Sequence, residues 1–128
     1  MRGTLLGQGR TAEVYAWDGQ ALKLFVGGFP VEWIRAEAEA ARVACQAGLS
    51  APAVGEIVQV DGRAGIIYEC IDGASMLQMF AARPWTLLPA VRRFVELQIE
   101  MHNCAGPELP SQRWRLKDAI QGAPRLTA

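Results

Sequence analysis

Apolar and polar residues alternate in two different rhythms along this chain. From Leu5 to Phe25 the rhythm is that of strands. Leu5-Leu6 is a short apolar start. Val14-Tyr15-Ala16-Trp17 is β-prone, Asp18-Gly19 follows, and Ala21-Leu22-Lys23-Leu24-Phe25 resumes the strand pattern. Asp-Gly between two such runs predicts a tight hairpin. Gly27-Gly28 ends this section, and the spacing then changes to that of a helix from Pro30 to Gly48. Proline suits a first turn and glycine a C-terminal cap. Ile34, Glu37, Ala41, Ala44 and Gly48 recur at helical intervals and place Glu37 on a face of small residues. A second hairpin is predicted from Ile57-Val58-Gln59-Val60, Asp61-Gly62 and the run Ala64 to Cys70. Ile71-Asp72-Gly73 breaks the sheet pattern. A short helix is expected over about Ser75 to Ala82 with Ser75 as N-cap, and a long one from Leu87 to Cys104. The long helix carries Leu87, Val91, Phe94, Val95, Gln98, Met101 and His102 near one face. Gln112 to Gln121 reads as a further helix and Gly122 to Ala128 as a frayed tail.

The chain has 128 residues, one domain's worth, with 51% hydrophobic and 20% charged residues, so an ordered core is expected. Thirteen basic and thirteen acidic side chains balance to a net charge of zero. That argues against nucleic acid as a partner, which usually calls for a basic excess. Cys45, Cys70 and Cys104 are widely spaced and form no C-x-x-C pair. With a single histidine in the chain they predict reduced thiols in a cytoplasmic protein rather than a zinc site. Leu5-Leu6 is followed at once by Gly7-Gln8-Gly9-Arg10, so no signal peptide is expected. No apolar run reaches the ~18 residues of a membrane span.

The sharpest local signal is Gly7-Gln8-Gly9-Arg10-Thr11-Ala12-Glu13-Val14. A dinucleotide fingerprint would require this loop to open a helix, and the residues after Ala12 are strand-like instead. The second template is a glycine-rich hairpin over a nucleotide's phosphates, followed by Ala-x-Lys on the next strand. Glycines let the backbone N–H groups approach the phosphates, and a lysine supplies the compensating charge. Ala21-Leu22-Lys23 matches that spacing. Lys23 lies between Leu22 and Leu24 and needs a carboxylate partner, which the next helix offers as Glu37 or Glu39.

The loop, Val14, the Asp-Gly turn, Ala21-x-Lys23, the acidic helix, the second hairpin and Tyr68-Glu69-Cys70-Ile71-Asp72-Gly73 together resemble the N-terminal lobe of a protein-kinase-like phosphotransferase. Gly48-Leu49-Ser50-Ala51-Pro52-Ala53-Val54 and Asp72-Gly73-Ala74-Ser75-Met76-Leu77 are most similar to the aminoglycoside phosphotransferase family, over about Leu5 to Pro110. The resemblance implies an α+β fold: an antiparallel sheet of about five strands with one packed helix over residues 1–71, then a linker and a partial helical lobe over 72–128. It implies that the backbone of Gly7, Gln8, Gly9, Arg10, Thr11 and Ala12 covers the phosphates of ATP. Lys23 would contact the α and β phosphates, with Glu37 (or Glu39) holding it. Val14 and Ala21 would line the adenine, and the main chain of Glu69 and Ile71 would meet its edge.

The family's catalytic loop, a His-Gly-Asp with an asparagine five residues after the aspartate, and its later metal-binding aspartate find no match. After Asp72 the chain holds one aspartate, Asp118, and one asparagine, Asn103, in reversed order and with no histidine just before Asp118. The magnesium that the complete family fold uses has no ligands here, and no catalytic residue is assigned. The chain reads as a lobe truncated before the catalytic loop and is expected to transfer no phosphate by itself. The alternative is a non-catalytic nucleotide-binding or interaction module. The small-molecule acceptor is chosen by the second lobe and stays open. The apolar stripe of the long helix, without that lobe, is expected to be partly uncovered, so that the chain is poorly soluble, self-associates or folds back Gln112–Gln121 as an imperfect cover; the alternative is a self-sufficient module.

Overall fold

Each Asp-Gly pair makes the turn its sequence predicts. Asp18 and Gly19 have φ of 44° and 78°, and Asp61 and Gly62 have φ of 51° and 74°. Positive φ at both central residues twists the turn to match its flanking strands, and few pairs besides Asn-Gly and Asp-Gly tolerate it. The computed structural model describes residues 3–106, 109 and 112–122; the tail expected beyond Gly122 lies outside the described residues. The two turns join β2 (Ala12–Trp17) to β3 (Gln20–Phe25) and β4 (Val54–Val60) to β5 (Arg63–Glu69), and β1 (Leu5–Gln8) precedes them. The five strands form one antiparallel sheet in the order β1-β2-β3-β5-β4. Both outer strands step out of register, β1 between Leu5 and Gly7 and β4 between Val54 and Ile57.

α1 (Val31–Gln46) connects the two hairpins, and β3 pairs with β5 rather than with β4. Its end is set by Gly48 at φ +78°. The Gly48 N–H donates to Cys45 O and the Leu49 N–H to Ala44 O, so the last carbonyls are satisfied by a left-handed glycine cap. α1 lays Ile34 and Ala38 on the sheet, where they are buried with Ala12, Phe25 and Ile66. Phe29 stacks on Phe25 at 5.0 Å between ring centroids. The opposite sheet face has its own small core, since Leu22 and Leu24 are fully buried there, their side chains lying over Gly65. Arg63 ties that face together. It donates to Phe25 O at 2.7 Å and Leu24 O at 3.2 Å and pairs with Glu13 at 2.9 Å.

Beyond β5 the chain leaves the sheet. Ser75 caps α2 (Met76–Ala82) with a reciprocal pair of bonds: its hydroxyl accepts from the Gln78 N–H while Gln78 Oε1 accepts from the Ser75 N–H. A single 3₁₀ turn, Pro84–Thr86, leads into α3 (Leu87–Asn103), and α4 (Gln112–Gln121) follows. α3 buries no residue fully. Among the described residues no helix is long and apolar enough to cross a membrane. The fold is α+β with a five-stranded antiparallel sheet and several helices.

Candidate functional site

Pairing fixes which side chains share a face. Val14 lies opposite Lys23 and Ala16 opposite Ala21 across β2–β3, while Lys23 lies opposite Ile66 and Ala21 opposite Tyr68 across β3–β5. Cross-strand partners point the same way. Val14, Ala21, Lys23 and Tyr68 therefore stand on the face that α1 covers, with Ala12 and Ile66 of the core. α1 covers the β3–β5–β4 side of this face, and Val14 and Ala21 remain only partly buried beside it.

The charge on this face is organised around Glu37. Lys23 Nζ is 2.5 Å from Glu37 Oε1. The Tyr68 hydroxyl donates to the same oxygen at 3.1 Å. The ammonium also lies 5.0 Å from the Phe25 ring centroid, in favourable range of its π face. Lys23 and Glu37 keep 30% and 39% of their side-chain surface, so the pair is reachable from solvent. Glu39, the other acid in reach by sequence, turns outward and pairs with Arg42 at 3.4 Å. Burial raises the Tyr68 phenol well above the ordinary tyrosine range. The Glu37 charge and hydrogen bond add to this, and Arg42 opposes it. Tyr68 is thus a fixed donor that holds the carboxylate in place for Lys23. Sequence reading missed it. The available signal was its alternation with Ile66 on β5, two residues apart and so on one face.

The glycine loop sits at the end of the same strands. Gly7 and Gln8 belong to β1, Gly9, Arg10 and Thr11 form the connection, and Ala12 begins β2. Two backbone bonds anchor it, from the Gly9 N–H to Ala12 O at 2.8 Å and from the Val26 N–H to Thr11 O at 3.0 Å. The Ala12 methyl is committed to the core, which explains alanine at that place. Gly7 and Gly9 are different. Neither has positive φ, a Cβ at Gly7 would meet nothing within 4 Å, and one at Gly9 would make only ordinary contact with Ala12 O. The fold itself does not require glycine at either position.

The linker residues follow Tyr68 on the chain. The Glu69 N–H donates to Ala53 O at 2.8 Å and its carboxylate accepts from the Ala53 N–H at 3.0 Å, which fastens β5 to the start of β4. Ile71 is largely exposed in the irregular stretch after β5. Glu69 and Cys70 border a shallow depression with Gln20, Ala53 and Val54. Among the described residues no group of three or more His, Cys, Asp or Glu side chains converges as a metal site would require. No protein-family model matches this chain, and no curated protein matches it either.

Proposed function

We propose that this chain binds ATP on the helix-covered face of its sheet, as the nucleotide-holding part of a small-molecule phosphotransferase similar to the aminoglycoside phosphotransferases. The observation that carries the reading is the Lys23–Glu37 pair beside Val14 and Ala21. A solvent-reachable ammonium, oriented by a carboxylate that is itself held by Tyr68, suits a phosphate. The small apolar side chains of Val14 and Ala21 suit the flat face of a base. The glycine loop supports it, because Gly7 and Gly9 put no side chain between a phosphate and the loop where the fold asks for no glycine, while the Gly9 N–H itself is held by Ala12 O. The linker main chain at Glu69 and Ile71 would meet the adenine edge.

ATP fits this donor set; magnesium finds no comparable set among the described residues, and no step is assigned to it. Residues 73–128 match neither the base nor the metal ligands of the family's chemistry, so no transfer step is assigned to them. Calorimetric titration of the 128-residue chain with ATP tests the binding. Lys23→Ala is expected to weaken it about 10- to 100-fold, the loss of one charge-assisted phosphate contact. Its effect on folding is expected to stay within ~1 kcal/mol, as for a partly exposed pair. Equal affinity of parent and variant would sink the proposal. Incubated with γ-labelled ATP and an aminoglycoside, the same samples are expected to transfer no label, and Lys23-dependent transfer would reject the non-catalytic reading.

A further inference from the structure

We propose that Arg63 is a positioning residue for phosphate binding: from the opposite face of the sheet it fixes the glycine loop relative to Lys23. The inference rests on the nucleotide reading above and adds to it a residue that the ligand does not touch. Glu13 pairs with Leu24 and Leu24 with Gly65, so these three share the outer face with Arg63, two residues before Gly65. At this end β3 outruns one of its neighbours. Its last pair with β5 is Leu24 with Gly65, whereas toward β2 it continues to Phe25 with Ala12. Arg63 takes the place of the missing strand. Its Nε donates to Phe25 O at 2.7 Å and its Nη2 to Leu24 O at 3.2 Å.

The third nitrogen crosses β3. β5 and β2 stand two strand spacings apart, ~10 Å, and Arg63 Nη1 meets Glu13 Oε2 over that gap at 2.9 Å. The Tyr15 hydroxyl donates to the same oxygen at 3.2 Å. Every nitrogen of a planar guanidinium is thus engaged, which leaves the contact one geometry. Arg63 and Glu13 keep only 22% and 24% of their side-chain surface, so water screens this pair less than a surface one.

These contacts close a ring at the base of the glycine loop. Glu13 follows Ala12, where the loop re-enters the sheet. Val26 follows Phe25, and its N–H donates to Thr11 O at 3.0 Å. The ring therefore runs through Thr11, Ala12 and Glu13, across Arg63, and back through Phe25 and Val26. Lys23 leaves the same strand two residues before Phe25. A loop held this way is ordered before a phosphate arrives, whereas a free loop must be ordered on binding, at a cost in affinity. Val14 and Ala21 lie farther along the strands, so contacts with the base do not depend on the ring.

Two measurements on the 128-residue chain test this. Amide hydrogen exchange without ligand reads the ring itself. In Arg63→Ala the Gly9 and Val26 amides are expected to exchange about 10-fold faster, while those of α1 keep the parent's rates. Titration with ATP and with adenosine reads the consequence. ATP affinity is expected to fall about 3- to 10-fold and adenosine affinity to stay as in the parent. Glu13→Ala leaves both carbonyl bonds of Arg63 in place and is expected to act in the same direction. The double variant is expected to lose no more than Arg63→Ala alone. Should Arg63→Ala fail to fold, Glu13→Ala carries both measurements. Parent-like exchange at Gly9 and Val26, or an equal loss for ATP and adenosine, would overturn the proposal. Unchanged ATP affinity in these variants, where Lys23→Ala does weaken binding, overturns this inference alone. A parent chain that binds no ATP removes the nucleotide reading and this inference with it.

Discussion

Replacing Gly7 or Gly9 by alanine separates what the glycine loop does for folding from what it does for a ligand. Neither residue has positive φ, and a Cβ at either position meets at most ordinary van der Waals contact. For folding alone the exchange is favourable. It restricts the unfolded chain and stabilises by ~0.4–1 kcal/mol, a rise of roughly 2–6 °C in melting temperature for a chain of this size. Under the proposed nucleotide binding it is expected to be harmful. On that reading the new methyl would stand where a phosphate oxygen approaches the loop, and losing one charge-assisted hydrogen bond of ~1.5–3 kcal/mol is expected to weaken affinity about 10- to 100-fold. Gly62→Ala is the opposite control. Its φ of +74° makes alanine strained, at a cost of ~1–2 kcal/mol, and ATP affinity is expected to stay as in the parent. Thermal denaturation and ATP titration on the three variants read both quantities. The reasoning fails if Gly7→Ala and Gly9→Ala bind ATP as the parent does, or if they lose stability in step with affinity.

Tyr68 and Gly65 give two further tests. The folded state holds the Tyr68 proton more tightly than the unfolded chain, because burial and then the Glu37 carboxylate raise its pKa. Its contribution to stability is therefore complete below the unfolded value of ~10 and is lost as the pH rises above it. Denaturation midpoints should fall above pH ~10 less steeply in Tyr68→Phe than in the parent, and a Tyr68 phenolate absorbance appearing at the ordinary tyrosine pH in the folded chain would contradict this. Gly65→Ala puts a Cβ 2.8 Å from Leu22 Cδ1 and 3.0 Å from the Lys23 carbonyl oxygen. Overpacking of that kind costs ~1–3 kcal/mol, read as a lower urea midpoint, and an unchanged midpoint would show that the outer core is looser than described.

The elements were legible where a local rule decides them. Asp18-Gly19, Asp61-Gly62, Gly48 and Ser75 each dictate a turn or a cap through their own backbone or side chain, and each occupies that place in the fold. Sequence spacing narrowed the partner of Lys23 to two acids, and only the docking angle of α1 separates Glu37, turned to the sheet, from Glu39, turned to Arg42. Alternation with Ile66 places Tyr68 on the inner face, but the partners of Tyr68 and Arg63 were not legible because they depend on cross-strand register. Tyr68 reaches Glu37 from 31 residues away, and Arg63 reaches carbonyls on β3 from across the sheet. The long helix shows a third limit. Its apolar residues cover so wide an arc that periodicity alone does not say which of them meet α1: Leu97 and Met101 line a groove with Ala44 and Leu49, while Leu88 and Ile99 stay exposed.

The register steps in β1 and β4 govern how a misplaced strand from another molecule would fare. A growing fibril needs a straight run of open N–H and C=O groups at a sheet edge, each new strand copying the last. Here the outer strand on one side has four residues with a step inside it, and on the other the step between Val54 and Ile57 interrupts the run, with the Gly55 carbonyl already occupied by Arg42 at 3.2 Å. A strand docking at either edge loses its register within two or three residues, before it gains enough bonds to stay. While the chain refolds or is crowded, its β-structure is therefore poorly suited to seed templated polymerisation, even with a sequence half hydrophobic.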